Sequence, residues 1–133
     1  MEIGEQELYL MNEFERITSV MPTFFVDMED TFVFVVGSTK PFASIQKLRE
    51  RLNKNVLIVL DSDDADVFTR NLFKNVNLLT ISVDSAKKQI HVTVAEKDRS
   101  LAIGRGGFRI KIGKKLLKDK FGCELMLHYT MMQ

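Results

Sequence analysis

Apolar and polar positions in this chain alternate between two rhythms. Over residues 4–18, Leu8, Met11, Phe14 and Ile17 recur at helical spacing and predict one buried stripe. Glu5 and Glu7 stand in the first turn, where they favour the helix dipole, and Pro22 marks the exit. The rhythm then shortens. Residues 23–27 and 31–36 are aromatic and β-branched around the turn 28–30, which predicts a hairpin with a buried second strand. After a loop at 37–41, a helix is expected over 42–52, with Ile45, Leu48 and Leu52 inward. A strand follows at 56–60. Asp61, Ser62, Asp63 and Asp64 then cap a short helix at 65–73, since their side chains accept from the free first amides.

The second half repeats the pattern. Strands 77–83 and 89–95 form another hairpin across the turn 84–88, with Ile90, Val92 and Val94 sharing a face. Asp98 is placed to cap a short helix at 99–103. A longer helix is expected at 108–121, with Ile110, Gly113, Leu117 and Phe121 inward and Arg109, Lys111, Lys114, Lys115 and Lys118 outward. Gly122 suits its C-terminal cap. A last strand covers 123–129 and a frayed tail 130–133. Hairpin, helix, strand thus occurs twice, each time after a helix. The fold class this predicts is α+β: two small units, each a three-stranded sheet packed on helices, at residues 1–76 and 77–133.

Composition changes this picture only in its charge. The net charge of +1 conceals a split. Residues 1–76 hold 8 Lys+Arg against 13 Asp+Glu, net −5, and residues 77–133 hold 11 against 5, net +6. A polyanionic partner is expected for the second part and not for the first. No apolar run approaches the roughly 20 residues that cross a bilayer, so no membrane partner is expected. Glu2, Glu5 and Glu7 have the wrong sign for a secretory signal. The single cysteine, Cys123, cannot form an internal disulfide and fits a reducing cytoplasm.

The candidate chemistry sits between the two helices of the second half, in Ile103-Gly104-Arg105-Gly106-Gly107. Three glycines within four residues imply positive φ or a close backbone approach. Arg105 adds a fixed charge, and the next helix starts here with its anion-attracting N-terminus. The candidate RNA-binding residues are Ile103, Gly104, Arg105, Gly106, Gly107, Arg109, Ile110, Lys111 and Lys114. The loop amides would lie near phosphates, Arg105 would pair with a phosphate or stack on a base, and Leu101, Ile103 and Ile110 would form an apolar floor with Leu125 or Met126. The plain alternative is a tight helix–helix turn.

Other chemistries fail on spacing. The glycines fit neither the dinucleotide nor the Walker A pattern, and Gly113-Lys114-Lys115 lacks the metal-binding hydroxyl. The run 61–64 lacks the glycine and distal glutamate of a calcium loop. His91, His128 and Cys123 have no metal-ligand spacing, so a core or sheet-edge role is expected for each. No nucleophile or paired-acid motif stands out. No enzyme activity, cofactor, metal or catalytic residue is expected.

In this setting the run 102–110 resembles the Ile-Gly-x-x-Gly signature of KH domains, with the four-residue loop at 104–107. The hairpin before the loop and the single strand after it resemble the type II order. Two such units behind an N-terminal helix resemble the archaeal NusA-like transcription factors, through 33–36, 61–64, 71–73 and 94–107. The resemblance implies single-stranded RNA, the nascent transcript, as a partner, with about four bases read in the groove. It further implies RNA polymerase as a second partner and a role in transcription termination, antitermination or elongation. The first unit departs from the pattern: 37–42 has no second glycine and no room for a preceding short helix. That unit is expected to be shortened by roughly two helical turns. An interaction scaffold that docks on polymerase without touching RNA is the competing function.

Overall fold

The apolar run Thr31–Val36 becomes the central strand of the first of two three-stranded sheets, and all six of its residues are buried. The computed structural model describes residues 4–131. The chain is α+β and divides into two units, Met1–Asp61 and Ser62–Gln133. The division lies ahead of the boundary expected after residue 76. Residues 62–76 belong with the second unit because the helix they contain packs there. Charge follows the observed division as well: residues 1–61 carry 6 Lys+Arg and 10 Asp+Glu, net −4, leaving 13 and 8, net +5, for 62–133.

In the first unit, α1 (Glu5–Thr18) precedes β1 (Phe24–Asp27) and β2 (Thr31–Val36), then α2 (Ile45–Leu52) and β3 (Asn55–Leu60). β1 pairs antiparallel with β2, and β3 joins β2 in parallel. A phenylalanine cluster ties α1 to the sheet, with the Phe14 and Phe34 rings stacked at 4.4 Å and Phe25 and Phe34 tilted at 5.0 Å. The stripe of α1 is rotated from the expected one. Leu10, Met11, Phe14 and Thr18 are buried, Ile17 is only partly so, and Leu8 is 47% exposed. Both sets satisfy a 3.6-residue period, and the sheet decides between them. Where a helix was expected from residue 42, Lys40–Ser44 forms a 3-10 turn and the α-helix starts at Ile45.

The second unit has α3 (Ala65–Leu72), β4 (Leu78–Asp84), β5 (Gln89–Ala95), α4 (Arg99–Ile103), α5 (Phe108–Phe121) and β6 (Glu124–Thr130). Its sheet order is β4-β5-β6, with β4 antiparallel and β6 parallel to β5. Of the expected capping group, Asp64 accepts from the first amides of α3, those of Asp66 and Val67, at 2.9 and 3.1 Å. Asp98 stands before α4 but makes no side-chain cap, and its Oδ2 is buried without a hydrogen-bond partner. The inner face of α5 is Ile112, Gly113, Leu116 and Leu117, a rotation from the expected Ile110 and Phe121, which are only half-buried. At Gly113 the helix lies close on the sheet, for a Cβ there would stand 3.1 Å from Leu125 Cδ2. Gly122 closes α5 in the left-handed conformation. Of the expected tail, Thr130 ends β6, and residues 132 and 133 lie outside the described residues.

Each unit therefore repeats helix, hairpin, helical connection and a strand parallel to the hairpin's second strand. The connection spans 37–54 in the first unit and 96–123 in the second, 18 residues against 28. The first unit is shorter by ten residues, about three turns of helix rather than two. Among the described residues, no helix is long and apolar enough to cross a membrane.

Candidate nucleic-acid interface

The longer connection of the second unit carries the glycine loop. Gly104 ends α4 at φ 79°, ψ 168°, a region open to glycine alone. A Cβ there would lie 2.8 Å from the Arg109 backbone nitrogen and 2.9 Å from Arg109 Cβ. Residues Arg105–Gly107 make one 3-10 turn, closed by the Gly107 amide donating to the Gly104 carbonyl at 3.0 Å. Gly106 and Gly107 have φ of 62° and 78°. Their missing side chains leave room outward: a Cβ on Gly106 would meet nothing within 4 Å, and one on Gly107 only Lys111 Cε at 3.8 Å. Gly104 thus serves close packing, whereas Gly106 and Gly107 keep the loop's outer surface bare.

The loop delivers the N-terminus of the fourteen-residue α5 to that surface. Gly107 supplies no side-chain cap, and no acidic residue stands in the first turn. The helix's partial positive charge is left unneutralised by its own side chains. Arg105 is exposed and has no ion-pair partner among the described residues. The lysines of α5 sort by ion pairing. Lys115 pairs with Asp119 at 3.1 Å and Lys120 with Asp63 at 3.7 Å. Lys111, Lys114 and Lys118, spaced three and four apart on the face that Lys115 also borders, are exposed and have no ion-pair partner among the described residues. Lys114 and Lys118 border a groove of about 430 Å³ between α5 and the start of β6, lined also by Cys123, Glu124, Leu125 and Met126.

Arg109 departs from its expected outward position. Its Nη1 donates to the carbonyls of Leu72 at 3.3 Å and Lys74 at 2.9 Å, tying the end of α3 to α5. Burial lowers its pKa, because the charged form is less well solvated there. The reason for the inward turn is local: the carbonyls at a helix C-terminus lack intrahelical donors. Ile103 and Ile110 are half-buried beside the loop, Leu101 is exposed, and Leu125 is buried beneath Gly113, leaving Met126 the more accessible of the two strand residues.

Two side-chain pairs are not visible in the sequence. His91 Nδ1 lies 2.8 Å from His128 Nε2, with the rings stacked at 5.1 Å, and His91 Nε2 is 3.1 Å from Gln89 Oε1. They share the sheet face opposite Ile90, Val92 and Val94. The Arg99 guanidinium carbon lies 4.3 Å from the centre of the Tyr129 ring. The histidine pair depends on the parallel register of β5 and β6, and the Arg99–Tyr129 pair on α4 reaching the end of β6; both join residues thirty or more positions apart, which no local signal announces. No group of three or more metal-ligating side chains occurs among the described residues.

Fold and loop define an α+β protein of two sheet-and-helix units, one of which exposes a cationic glycine turn. No protein-family profile matches the chain. It is 32% identical over 117 residues to "Probable transcription termination protein NusA" of Thermoplasma acidophilum, an alignment covering 81% of each protein. A second protein of the same name, from Halococcus morrhuae, is 31% identical over 83 residues, 61% of this chain and 59% of the relative. Among solved structures, the crystal structure of APE1850 matches with a TM-score of 0.78 at 31% identity, covering 96% of this chain and all of that one. The chain belongs to the archaeal NusA-like family.

Proposed function

We propose that residues 62–133 form a type II KH domain that binds single-stranded RNA at the loop 104–107, and that residues 1–61 are a related unit without such a loop. The observation that carries the reading is the bare outer surface at Gly106 and Gly107, set on the uncapped N-terminus of α5 beside Arg105 and the lysine face. Backbone amides there offer donors to phosphate oxygens, and the absent β-carbons let a sugar-phosphate chain approach. The relatives' name supports a place in transcription termination, antitermination or elongation, with the nascent transcript as ligand. The acidic first unit, net −4, is the one suited to RNA polymerase rather than to RNA. The protein works by binding, without catalysis or a cofactor, in the cytoplasm.

Titration of the protein with short single-stranded RNA at several salt concentrations tests this. Binding should weaken as salt rises. Gly106→Asp with Gly107→Asp should abolish it with the fold retained, since aspartate tolerates left-handed φ better than most residues and the space is open. A native protein with no salt-dependent affinity for RNA would leave the scaffold function standing.

A further inference from the structure

We propose that Arg99 and Tyr129 form a stacking platform for one RNA base beyond the four held at the glycine loop; this rests on the RNA reading above. Tyr129 stands opposite Val94 in the β5–β6 register, on the helix-facing side of the sheet. Of its neighbours on that side, Ile90, Val92, Val94 and Leu125 are buried and Leu127 is half-buried, yet Tyr129 is 49% exposed. The exposure has a cause. β6 is an edge strand, and α5 covers it at its start, where Gly113 meets Leu125. The strand's far end faces the five-residue α4, too short to bury it.

What lies over the ring is a charge rather than an apolar side chain. Arg99 opens α4 with its side chain 46% exposed, held only loosely by Glu96 Oε1 at 3.9 Å. A guanidinium over an aromatic face makes a cation–π contact and still presents a second planar face outward. Nucleobases stack on such planes. The platform also joins the loop. Arg99 and Ile103 are four apart and so share a face of α4, and Gly104 follows immediately. At 1.5 Å per residue, Arg99 lies about 7.5 Å along the helix from Gly104. A strand leaving the loop along this face passes Ile103 and reaches the Arg99–Tyr129 pair. Stacking tolerates any base, so the platform adds affinity with little sequence preference.

The test uses the full chain and RNAs of four and six nucleotides carrying 2-aminopurine at the 5′ or the 3′ end in turn. The six-mer should bind about tenfold tighter than the four-mer, with quenching of the fluorophore at one end. Tyr129→Leu should lose both the gain and the quenching while keeping four-mer affinity, and Tyr129→Phe should keep all three. Arg99→Met, which leaves the strand untouched, should behave as Tyr129→Leu. RNA binding with no gain from the longer strand, or a gain unchanged in both variants, overturns the platform alone. Equal weakening of both RNAs by both variants also overturns it, and marks the pair as a clamp of α4 on β6. Failure of the native protein to bind either RNA overturns the platform together with the RNA reading.

Discussion

At the scale of single residues, the loop's glycines do two different jobs, and substitution should separate them. Alanine at Gly104 would have to adopt a backbone region reserved for glycine and overlap the Arg109 backbone at 2.8 Å. The conformation costs about 1–3 kcal/mol and the overlap about 1–3 kcal/mol more, so Gly104→Ala should lower stability by several kcal/mol in a urea titration. Gly106→Ala meets open space and only the left-handed penalty, about 1–2 kcal/mol, and should keep the folded baseline. Similar losses from the two would contradict the division. Arg109 belongs with Gly104 on the structural side. Truncation by Arg109→Ala leaves the Leu72 and Lys74 carbonyls without this donor, and should cost about 1–3 kcal/mol of stability in the same titration. A substitution that lowered RNA affinity with no loss of stability would instead return Arg109 to the interface.

Elements carry the charge argument. If RNA lies along α5, Lys111, Lys114 and Lys118 each neutralise about one phosphate, and each substitution by alanine should reduce the slope of log K against log salt by about 0.7. Lys115→Ala, whose side chain pairs with Asp119 instead, should leave the slope unchanged. Measurement of the four slopes decides whether only the unpaired lysines of the helix are used or its paired charge as well. The same helix shows how far sequence reading reaches. The bounds expected for α5 agree with Phe108–Phe121, because the glycine loop and Gly122 punctuate it from within the chain. Its expected inward face holds at Gly113 and Leu117, and that of α1 at Met11 and Phe14, but both are rotated, because a periodic pattern gives the width of a stripe and the packing partner gives its angle. Leu10 took the place of Leu8, and Ile112 with Leu116 took the place of Ile110 with Phe121. The loop glycines were legible for a similar reason to the caps: their constraint is local. Arg109, Tyr129 and the histidine pair depend on contacts across 30 to 37 positions, which a local pattern cannot register.

For the molecule as a whole, the unit boundary is the decisive feature. A reading that counts hairpin, helix and strand assigns 62–76 to the first unit, whereas the structure groups them with the second. Phe68, Leu72 and Phe73 are buried, and Phe68 packs edge-on against Phe121 of α5 at 5.7 Å. At about 1.5–3 kcal/mol per large buried side chain, burial of these three contributes roughly 4.5–9 kcal/mol before the entropy of ordering them is subtracted, a large term against the net stability of a domain, about 5–15 kcal/mol. The end of α3 also accepts the Arg109 hydrogen bonds. A fragment beginning at residue 77 should therefore remain largely unfolded, with poorly dispersed amide resonances and no cooperative thermal transition. One beginning at residue 62 should fold and melt cooperatively. If RNA binding resides in the second unit, the 62–133 fragment should keep most of the full chain's affinity for a four-nucleotide RNA, and the 1–61 fragment should have none. A cooperative transition in the fragment from 77 would return α3 to the first unit. RNA binding by residues 1–61 would mean that the shortened connection, with Lys40 and Lys47, had taken over the role proposed for the glycine loop of the second.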